Sequence, residues 1–484
     1  MPPDMPLETT ARNAPWAPSF RTTALIIGSA LFMEQLDGTI LATALPAMAR
    51  SFSVDPLHMS VALTSYLLSL AVFIPASGKM ADRFGARTVF RGAIALFTLG
   101  SMLCAWADSL SFLVLARLLQ GLGGAMMVPV GRLVLLRTVA KSDLVAAMSW
   151  LLVPALVGPI LGPPVGGFLV TYFSWRWIFY INVPFGLICM ALASRYIADL
   201  REPAPGHFDM RGFCLSGVSL ACLTFGLESA SRGTSSLQAT AAILATGLVF
   251  GALYIRHARR HTEPILDLRL MRIQTFRLSV LGGALTRITA GAMPFLLPMM
   301  MQLGFGLSAA QSGTITFMSA AGAIVMKSTA RIALRRFGYR ATLIWNGAIA
   351  SCSIALCAAF RPSWPMAAIY AVLLAGGFFQ SLQFTAYNTI AYADVPRARM
   401  SAATSFYTTF QQLMLTLGIC VAAATLSATL ALSGHGQPRL PDFSAAFLVV
   451  TTLSLMASPV CARLPRNAGD EISGHGQAAA ARHG

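Results

Sequence analysis

Two carboxylic acids, Glu34 and Asp37, lie near the middle of the first long apolar stretch, and of the 18 Asp and Glu only these two lie deep in such a stretch. On a helix this spacing puts both on one face, about 4.5 Å apart along the axis. Two carboxylates that close in a low dielectric cannot both ionise easily, so at least one is expected to hold a proton near neutral pH. The pair could therefore carry protons across a bilayer. The alternative is a permanent ion pair with Arg117 or Arg287.

Two arginines lie within other apolar stretches. Arg117 stays charged at any accessible pH, so it cannot carry the proton, but it can hold a carboxylate until a proton or a substrate displaces it. Arg287 could bind an anionic group of a substrate or only brace its own helix. Because the two acids and the two arginines cancel, the deep charges indicate no preference for cationic substrates. We take Arg287, Gln120 and Gln380 as candidate residues of a substrate cavity.

Composition indicates the medium in which these charges lie. The chain has 484 residues, of which 56% are hydrophobic and 11% charged, and its mean hydropathy is +0.67. A soluble protein carries about 25% charged residues, and one soluble core could not bury so much apolar surface. The surplus is therefore expected to face lipid, which favours an all-α polytopic membrane protein.

Fourteen apolar stretches are long enough for a helix that crosses about 30 Å of hydrocarbon. Such runs exclude the short alternating strands of a barrel, which is the other structure that satisfies backbone groups in lipid. The predicted spans lie near 23–47, 59–77, 89–107, 110–132, 145–172, 177–197, 212–230, 238–255, 278–303, 309–327, 341–360, 364–391, 402–431 and 443–462.

Basic residues predict the orientation of these spans. With the N-terminus inside, cytoplasmic segments hold 28 of the 35 Lys and Arg and outer loops hold five. This bias predicts that both termini are cytoplasmic, in the inner or plasma membrane. The net charge of +17 comes from small groups at the ends of apolar runs. It therefore indicates anionic lipid head groups as partners, and nucleic acid is not expected.

A short internal repeat predicts the architecture. Arg83–Arg87 follows the second span and Arg336–Arg340 follows the tenth, and both read Arg-Phe-Gly-X-Arg. Two copies eight spans apart indicate two six-helix bundles with two inserted spans, the kind of internal symmetry found in secondary transporters. The predicted segments are a cytoplasmic tail (1–21), an N-terminal bundle (22–200), two accessory spans with their loops (201–275), a C-terminal bundle (276–463) and a disordered cytoplasmic tail (464–484).

Two further segments could move or lock such bundles. In the fifth span, glycines recur every four residues and allow close helix contact, while prolines bend the helix. This pattern predicts a hinge; a static tight contact is the alternative. The predicted hinge residues are Gly158, Pro159, Gly162, Pro163, Gly166 and Gly167. In the loop from Gly78 to Arg87, Asp82 could latch onto a positive helix N-terminus, although a plain solvated turn is the alternative.

Other chemistries lack their motifs. The sequence contains no GxxxxGK[ST], HExxH or GxSxG pattern, so neither ATP hydrolysis nor a catalytic site is expected, and the chain is not predicted to be an enzyme. The eight Cys form no CxxC pair, so no metal site is expected. All seven His lie in predicted loops or tails, which argues against a histidine relay within the membrane. No cofactor is expected.

The motifs resemble those of the major facilitator superfamily, in its fourteen-span drug:proton antiporter branch. Leu36–Ile40 with Ala44–Pro46 is similar to that branch's first-span motif, and Gly78–Arg87 is similar to the superfamily's loop motif. The fourth-span pattern of Arg117, Gln120 and Gly121, the Gly/Pro run of the fifth span, and Ser174–Pro184 also resemble the branch. Ala42 stands where the motif has Asn, and Glu34 is outside it.

This resemblance implies roles for individual residues. Asp37 would be the first-span acid of proton coupling, with Arg117 implicated in proton transfer; Glu34 joins them on the burial argument alone. Asp82 and Arg83 would be gate-latch residues, in a loop with Gly78, Gly85 and Arg87. Because Arg335 replaces Asp82 in the second half, the latch is expected to be single.

The sequence thus predicts a proton-coupled antiporter that exports small hydrophobic or amphipathic, drug-like molecules by alternating access. A proton-driven uptake symporter is the nearest alternative; a receptor, a channel or a membrane enzyme has less support. The expected partners are a small-molecule substrate, protons and membrane lipids. A monomer is expected, with a periplasmic adaptor as an open question.

Overall fold

The computed structural model describes residues 20–139, 144–197, 208–232, 236–396, 399–434, 437–465, 467–473 and 475. Within these residues every regular element is a helix. The long helices are α1 (Phe20–Ile40), α2 (Ser60–Phe84), α3 (Ala86–Trp106), α4 (Leu110–Thr138), α5 (Leu144–Tyr172), α6 (Asn182–Tyr196), α7 (Met210–Arg232), α8 (Leu237–Arg260), α9 (Gln274–Met299), α10 (Ala309–Ala341), α11 (Gly347–Cys357), α12 (Met366–Ile390), α13 (Met400–Ser433) and α14 (Leu440–Leu455).

Short helical pieces extend or connect these helices. Four are α-helical: Leu45–Phe52, Trp177–Tyr180, Ala457–Cys461 and Asp470–Ser473. Three are 3-10 turns: Leu41–Thr43, Pro56–Met59 and Leu268–Arg272. Two are π-helical: Met300–Gly304 and Thr342–Asn346. Of the predicted disordered tail, 464–484, the described part includes the helix at Asp470–Ser473, while 476–484 lie outside the described residues.

By length and composition, 12 helices of the described chain could cross a membrane. The stretch Ala309–Cys357 counts as one of them, although its 49 residues contain a non-helical Gly338. At 1.5 Å per residue it would measure roughly 74 Å, far more than one bilayer. The 29-residue helix Leu144–Tyr172 is not among the 12. The count of fourteen spans therefore stays a prediction, whereas the all-α membrane architecture is confirmed.

Helix packing divides the chain into three groups. Helices α1 to α6 pack on one another and form what we call the N bundle, and α9 to α14 form the C bundle. Helices α7 and α8 pair as a hairpin between them in sequence, here called the accessory hairpin. The boundaries predicted from the sequence for these segments remain predictions.

Among the described residues, the buried core that joins the two bundles lies at one end of the molecule. We call the end where α1 begins and where Gly85 and Gly338 lie the tail face, and the other end the far face. One buried apolar cluster joins both bundles near the far face, with Leu41 and Met48 packed in the same core as Phe295 and Met300. Toward the tail face the clusters are separate: one belongs to the N bundle, and the others belong to the C bundle. The molecule is therefore closed at the far face, and its bundles diverge toward the tail face.

The internal repeat corresponds to a repeated backbone geometry. Gly85 lies between α2 and α3 with φ 91°, and Gly338 breaks the helix before α11 with φ 70°. Such positive φ angles are accessible to glycine at little cost. In each copy the arginine two positions before the glycine stacks its guanidinium over the adjacent phenylalanine, at 5.6 Å for Arg83 and 5.7 Å for Arg336. The repeated five-residue sequence thus forms the same kind of turn in both bundles.

The accessory hairpin contacts both bundles. Its first helix, α7, packs against α2 of the N bundle and α13 of the C bundle. At the tail face, Asp209 joins the ends of the hairpin, because its Oδ1 accepts from the backbone N–H of Gly212 at 2.8 Å and lies 2.7 Å from His257 Nε2. The hairpin therefore lies at one of the two seams between the bundles. The other seam is formed by α5 and α10.

Candidate functional site

Asp37 and Arg117 form an ion pair inside the N bundle. Arg117 Nη1 lies 2.6 Å from Asp37 Oδ2, and both side chains are at most 1% exposed. The pairing follows from the helix positions: Asp37 lies in the last turn of α1, and Arg117 lies two turns into α4, so that both are in the half of the N bundle nearer to the far face. A carboxylate and a guanidinium neutralise each other at a depth where either alone would cost several kcal/mol.

Neutral side chains complete the coordination of Asp37. Its Oδ1 accepts from Gln120 Nε2 at 2.8 Å and from Asn182 Nδ2 at 3.0 Å. The same two amides donate to the hydroxyl of Ser101, at 2.7 and 3.2 Å respectively. Side chains of α4 and α6 thus bind the carboxylate carried by α1, and α3 supplies the hydroxyl that the two amides share. We call Asp37, Arg117, Gln120, Asn182 and Ser101 the Asp37 network.

The arginine of this network makes further contacts through Nε, Nη1 and the face of its guanidinium. Arg117 Nε donates to the backbone oxygen of Ala62 at 3.1 Å, and Nη1 also donates to Gln120 Oε1 at 2.6 Å. Its guanidinium lies 4.3 Å from the centre of the Tyr66 ring, a cation–π distance. With Asp37 only 1% exposed, neither water nor a substrate reaches the carboxylate in this conformation. Gln120, which we predicted as a cavity residue, is 0% exposed and belongs to this network.

Glu34 lies one turn from Asp37 but outside the network. It is 7% exposed, and the contacts found for Asp37 do not include it. Among the described residues, Glu34 Oε2 and the hydroxyl of Tyr66 are buried without a hydrogen-bond partner. Because α1 runs from the tail face, Glu34 is on the side of Asp37 nearer to the space between the bundles. Two unsatisfied polar atoms there are suited to bind water or a proton carrier.

The C bundle holds the second buried arginine. Arg287 in α9 is 2% exposed, and its Nη2 donates to the hydroxyl of Tyr407 at 2.8 Å and to Asn388 Oδ1 at 2.9 Å. It is therefore not paired with Asp37 or Glu34. Gln380, also predicted for the cavity, is half-buried on α12 about two turns before Asn388.

The glycines of α5 contact two different partners. A Cβ built on Gly158 would lie 2.9 Å from the backbone nitrogen of Leu36, and one on Gly166 would lie 2.7 Å from the oxygen of Ile40, both in or next to α1. A Cβ on Gly162 would overlap the side chain of Thr39 in the same way. These three glycines therefore form a stripe against α1, with Pro159 and Pro163 inside the same helix.

The fourth glycine of α5 lies at the seam between the bundles. A Cβ on Gly167 would overlap the backbone oxygen of Ala309 in α10, and a Cβ on Gly313 would overlap that of Pro163. Across the same seam, the backbone N–H of Ala310 donates to Thr171 Oγ1 at 2.9 Å. The predicted hinge helix thus touches the C bundle near the far face, where any rearrangement of the bundles must change its contacts.

The loop predicted as a gate latch lies at the tail face. Gly85 ends α2, and its N–H donates to the oxygen of Ala81 at 3.0 Å. Arg87 donates from Nη2 to the backbone oxygen of Ser194 at the end of α6. Asp82 is half-buried in the last turn of α2, and Gly78 has open space around it. Lys79 Nζ lies 3.2 Å from Glu263 Oε2, an exposed pair of the kind that contributes little stability.

Sequence reasoning missed three polar residues. Asn182 and Ser101 are uncharged, and short polar side chains in an apolar run give no energetic signal by themselves. The third is an acid: Glu228, four residues before the end of α7, is 1% exposed. Its Oε1 accepts from Ser60 Oγ in α2, and Cys420 Sγ in α13 lies 3.2 Å from its Oε2.

The chain is similar to known proteins both in sequence and in fold. The family described as the Major Facilitator Superfamily matches residues 27–419, so the chain belongs to that superfamily and is a multi-pass membrane transporter of small molecules, not an enzyme. The fold is similar to that of the D-xylose-proton symporter, with a TM-score of 0.67 at 13% identity over 93% of this chain and 98% of that chain. The POT family transporter PepTSo has the same TM-score, at 14% identity over 91% and 97%.

More specific relatives are proteins called MdtD, a name that assigns them provisionally to multidrug resistance. The chain is 39% identical to MdtD of Salmonella typhimurium over 409 residues, which cover 83% of this chain and 85% of that protein. It is 38% identical to MdtD of Pectobacterium atrosepticum over 451 residues, or 92% and 94% of the two chains. The resemblance to the superfamily that the motifs indicated is thereby confirmed.

Proposed function

We propose that the protein exports small amphipathic molecules across the cytoplasmic membrane in exchange for protons, by alternating access. The observation that carries the proposal is the Asp37 network. A buried acid in the last turn of the first helix is held by an arginine and two amides, in a conformation where the two bundles share a core near the far face. The similarity to MdtD supports drug-like substrates.

Charge exchange at Asp37 explains how protons could drive the cycle. While the ion pair between Asp37 and Arg117 is intact, the N bundle keeps its present packing. A proton that binds Asp37 from the far face removes the charge that holds Arg117, so the ion pair is released. Because the pair has almost no solvent exposure, the proton can arrive only when α1, α4 and α6 move apart. Proton binding and the change of conformation are thereby coupled.

Glu34 provides a route between Asp37 and the space between the bundles. Its unsatisfied Oε2 and the free hydroxyl of Tyr66 lie one turn nearer to the tail face among the described residues. In our proposal, Glu34 receives the proton that leaves Asp37 and releases it to water at the tail face. The tail face is the cytoplasmic side in this scheme, because the loops there carry most of the basic residues.

The proposal needs no cofactor, since the proton gradient supplies the energy. We propose a monomer with both termini in the cytoplasm, surrounded by membrane lipids, because both bundles and the site belong to one chain. A periplasmic adaptor would extend the route across a second membrane but is not needed for the chemistry. The predicted hinge in α5 and the gate loop at Gly85 would supply the moving parts.

A matched pair of variants tests the mechanism. An efflux-deficient strain that expresses the chain is first screened against a broad compound panel, and the compound with the largest gain in resistance is used in inverted membrane vesicles. We expect Asp37→Asn to abolish accumulation driven by a pH gradient while exchange without a gradient continues. Asp55→Asn is the control, because Asp55 only caps a far-face turn through Leu57 N–H at 2.8 Å. Gradient-driven accumulation at the wild-type rate in Asp37→Asn refutes the mechanism.

The nearest alternative is uptake with protons. The direction of transport distinguishes the antiporter from the symporter. When the interior of inverted vesicles is acidic, an exporter accumulates the compound inside them against its gradient, whereas a symporter removes the compound from them. Accumulation that requires an alkaline interior would therefore favour uptake and contradict our proposal.

A further inference from the structure

Arg287 is a buried cation of the C bundle. It lies 13 residues into α9, roughly 20 Å from the tail-face end of that helix, and is 2% exposed. Arginine cannot lose its charge at accessible pH. Among the described residues no carboxylate lies within ion-pair distance of it, whereas Arg117 in the N bundle has Asp37. The C bundle therefore carries a full positive charge near mid-depth.

The described side chains that contact Arg287 are neutral. Nη2 makes three hydrogen bonds, to Tyr407 at 2.8 Å, Asn388 at 2.9 Å and Gln411 at 3.3 Å. The guanidinium also lies 4.6 Å from the centre of the Tyr407 ring and 5.3 Å from that of Phe384. These contacts orient the cation and offset part of its desolvation, but none of them cancels the charge.

Part of the guanidinium is left unused. All three hydrogen bonds come from one nitrogen, and Nε is buried without a partner among the residues described. The fold makes room for the group, because a Cβ on Gly283, one turn earlier in α9, would overlap Arg287 Nη1. A static brace for the helix would not need a free Nε. A carboxylate, sulfonate or phosphate can accept from an arginine at two nitrogens at once.

The surroundings of this site match an amphipathic anion. Phe384, Asn388 and Gln411 are only half-buried, so the guanidinium is reached through partly open side chains of α12 and α13. Lys327 in α10, itself exposed, donates to Thr385 Oγ1 at 3.2 Å, within one turn of Asn388. Two cations thus approach the same part of α12, next to an aromatic ring that can pack against an apolar group.

We propose that Arg287 binds the anionic group of an amphipathic organic anion, with the apolar part of that molecule against Phe384. The inference rests on the proposed transport function and names its substrate class: small molecules that carry one carboxylate, sulfonate or phosphate on an aromatic or aliphatic body. Arg287 supplies the charge, Gly283 the space, and Asn388, Tyr407 and Gln411 the orientation.

Binding of two molecules that differ only in charge tests this proposal. Naphthalene-2-sulfonate is an anion at every working pH, and naphthalene-2-sulfonamide is neutral with nearly the same shape. Their affinities for the purified full chain in detergent are measured by calorimetry. The wild type is expected to bind the sulfonate at least roughly tenfold tighter, the factor that corresponds to one good charged contact. Equal affinities, or no binding of the sulfonate, would overturn the proposal without any variant.

Variants test whether Arg287 is the residue responsible for the preference for the sulfonate. We expect Arg287→Gln to remove the preference for the sulfonate and to leave the sulfonamide affinity unchanged, and Arg287→Lys to keep part of it. Gly283→Ala is expected to weaken sulfonate binding, because the methyl group displaces the guanidinium. Arg277→Gln is the matched control, since Arg277 is an exposed arginine of the same helix. A preference that survives in Arg287→Gln would assign the anion to another residue and refute the proposal.

The outcome can be separated from that of the proposed function. A wild type that performs proton-driven export of a neutral compound but binds both naphthalene probes equally retains the transport mechanism and loses the anion site. A wild type that prefers the sulfonate, but whose Asp37→Asn variant still accumulates substrate under a gradient, retains the anion site and loses the proton mechanism.

Discussion

The hydroxyl of Ser60 in α2 donates a hydrogen bond to the carboxylate of Glu228 in α7. The second oxygen of that carboxylate lies 3.2 Å from the thiol of Cys420 in α13. One side chain of the accessory hairpin thereby contacts both bundles at the far face, where they share a core. Opening of the far face must separate Ser60 from Cys420, so these contacts stabilise the closed arrangement seen here.

Loss of the Glu228 side chain should favour opening of the far face. We expect Glu228→Ala to raise the rate at which Cys420 reacts with a charged, membrane-impermeant methanethiosulfonate added at that face, by up to about tenfold, because a hydrogen bond contributes about 0.5–1.5 kcal/mol. Labelling is measured in intact cells on a variant in which Cys420 is the single cysteine. Ser60→Ala should have a smaller effect in the same direction.

The control for this experiment is Glu263→Ala, which removes an exposed acid just after the accessory hairpin. It should leave the labelling rate unchanged. If Glu228→Ala labels no faster than Glu263→Ala, the Glu228 contacts do not hold the far face closed.

Two glycines of α5 should respond differently to a methyl group. Gly167 faces Ala309 across the seam between the bundles, whereas Gly158 faces α1 within the N bundle. We expect Gly167→Ala to push the bundles apart at the far face and to raise Cys420 labelling severalfold. Gly158→Ala should lower the Tm of the purified protein, since overpacking inside a bundle costs about 1–3 kcal/mol, without a comparable change in labelling. Equal labelling of Cys420 in both variants would show that the contact of Gly167 with α10 does not keep the far face closed.

Asp209 should contribute to stability in a pH-dependent way. Burial alone would raise the pKa of its carboxyl, but hydrogen bonds from the backbone N–H of Gly212 and from His257 outweigh burial and lower this pKa. A carboxyl with a lowered pKa stabilises the folded state above its unfolded pKa of about 3.9, and this contribution is lost as the pH falls through the folded pKa. Asp209→Asn should therefore lower the Tm by a few degrees at neutral pH and by less in acid.

Thermal unfolding in detergent from about pH 7.5 to pH 3.5 measures this difference. Asp267→Asn is the matched control, because Asp267 also caps a short turn, through Arg269 N–H at 2.9 Å, but does not join the two ends of the hairpin. A Tm difference between wild type and Asp209→Asn that stays constant across this range contradicts the linkage.

Two features could be derived from the sequence: the ion pair between Asp37 and an arginine, and the internal repeat. A lone carboxylate and a lone guanidinium in apolar stretches each carry a large energetic cost, so Asp37 was expected to meet an arginine, and it meets Arg117. The echo between Arg83–Arg87 and Arg336–Arg340 indicated two related halves, and Gly85 and Gly338 share a positive φ. Both predictions rest on residues whose physical demands are unusual.

The amides around Asp37 and the burial of Glu228 could not be derived in this way. Asn182 is neutral, and nothing in its own neighbourhood indicates that its partner is an acid 145 residues earlier. Glu228 lies four residues before the end of α7, where an acid is ordinarily solvated. It is buried because α2 and α13 cover it, and its partners are 168 and 192 residues away. Tertiary packing, which the local sequence does not contain, decides both cases.

The accessory hairpin covers only one of the two junctions between the bundles, so the transporter is asymmetric in the plane of the bilayer. Helix α7 covers the junction of α2 with α13 and leaves the junction of α5 with α10 on the opposite flank. A hydrophobic compound that approaches from a lipid leaflet would therefore meet α5 and α10 directly on the flank that the hairpin leaves uncovered, and would meet the hairpin first on the other flank.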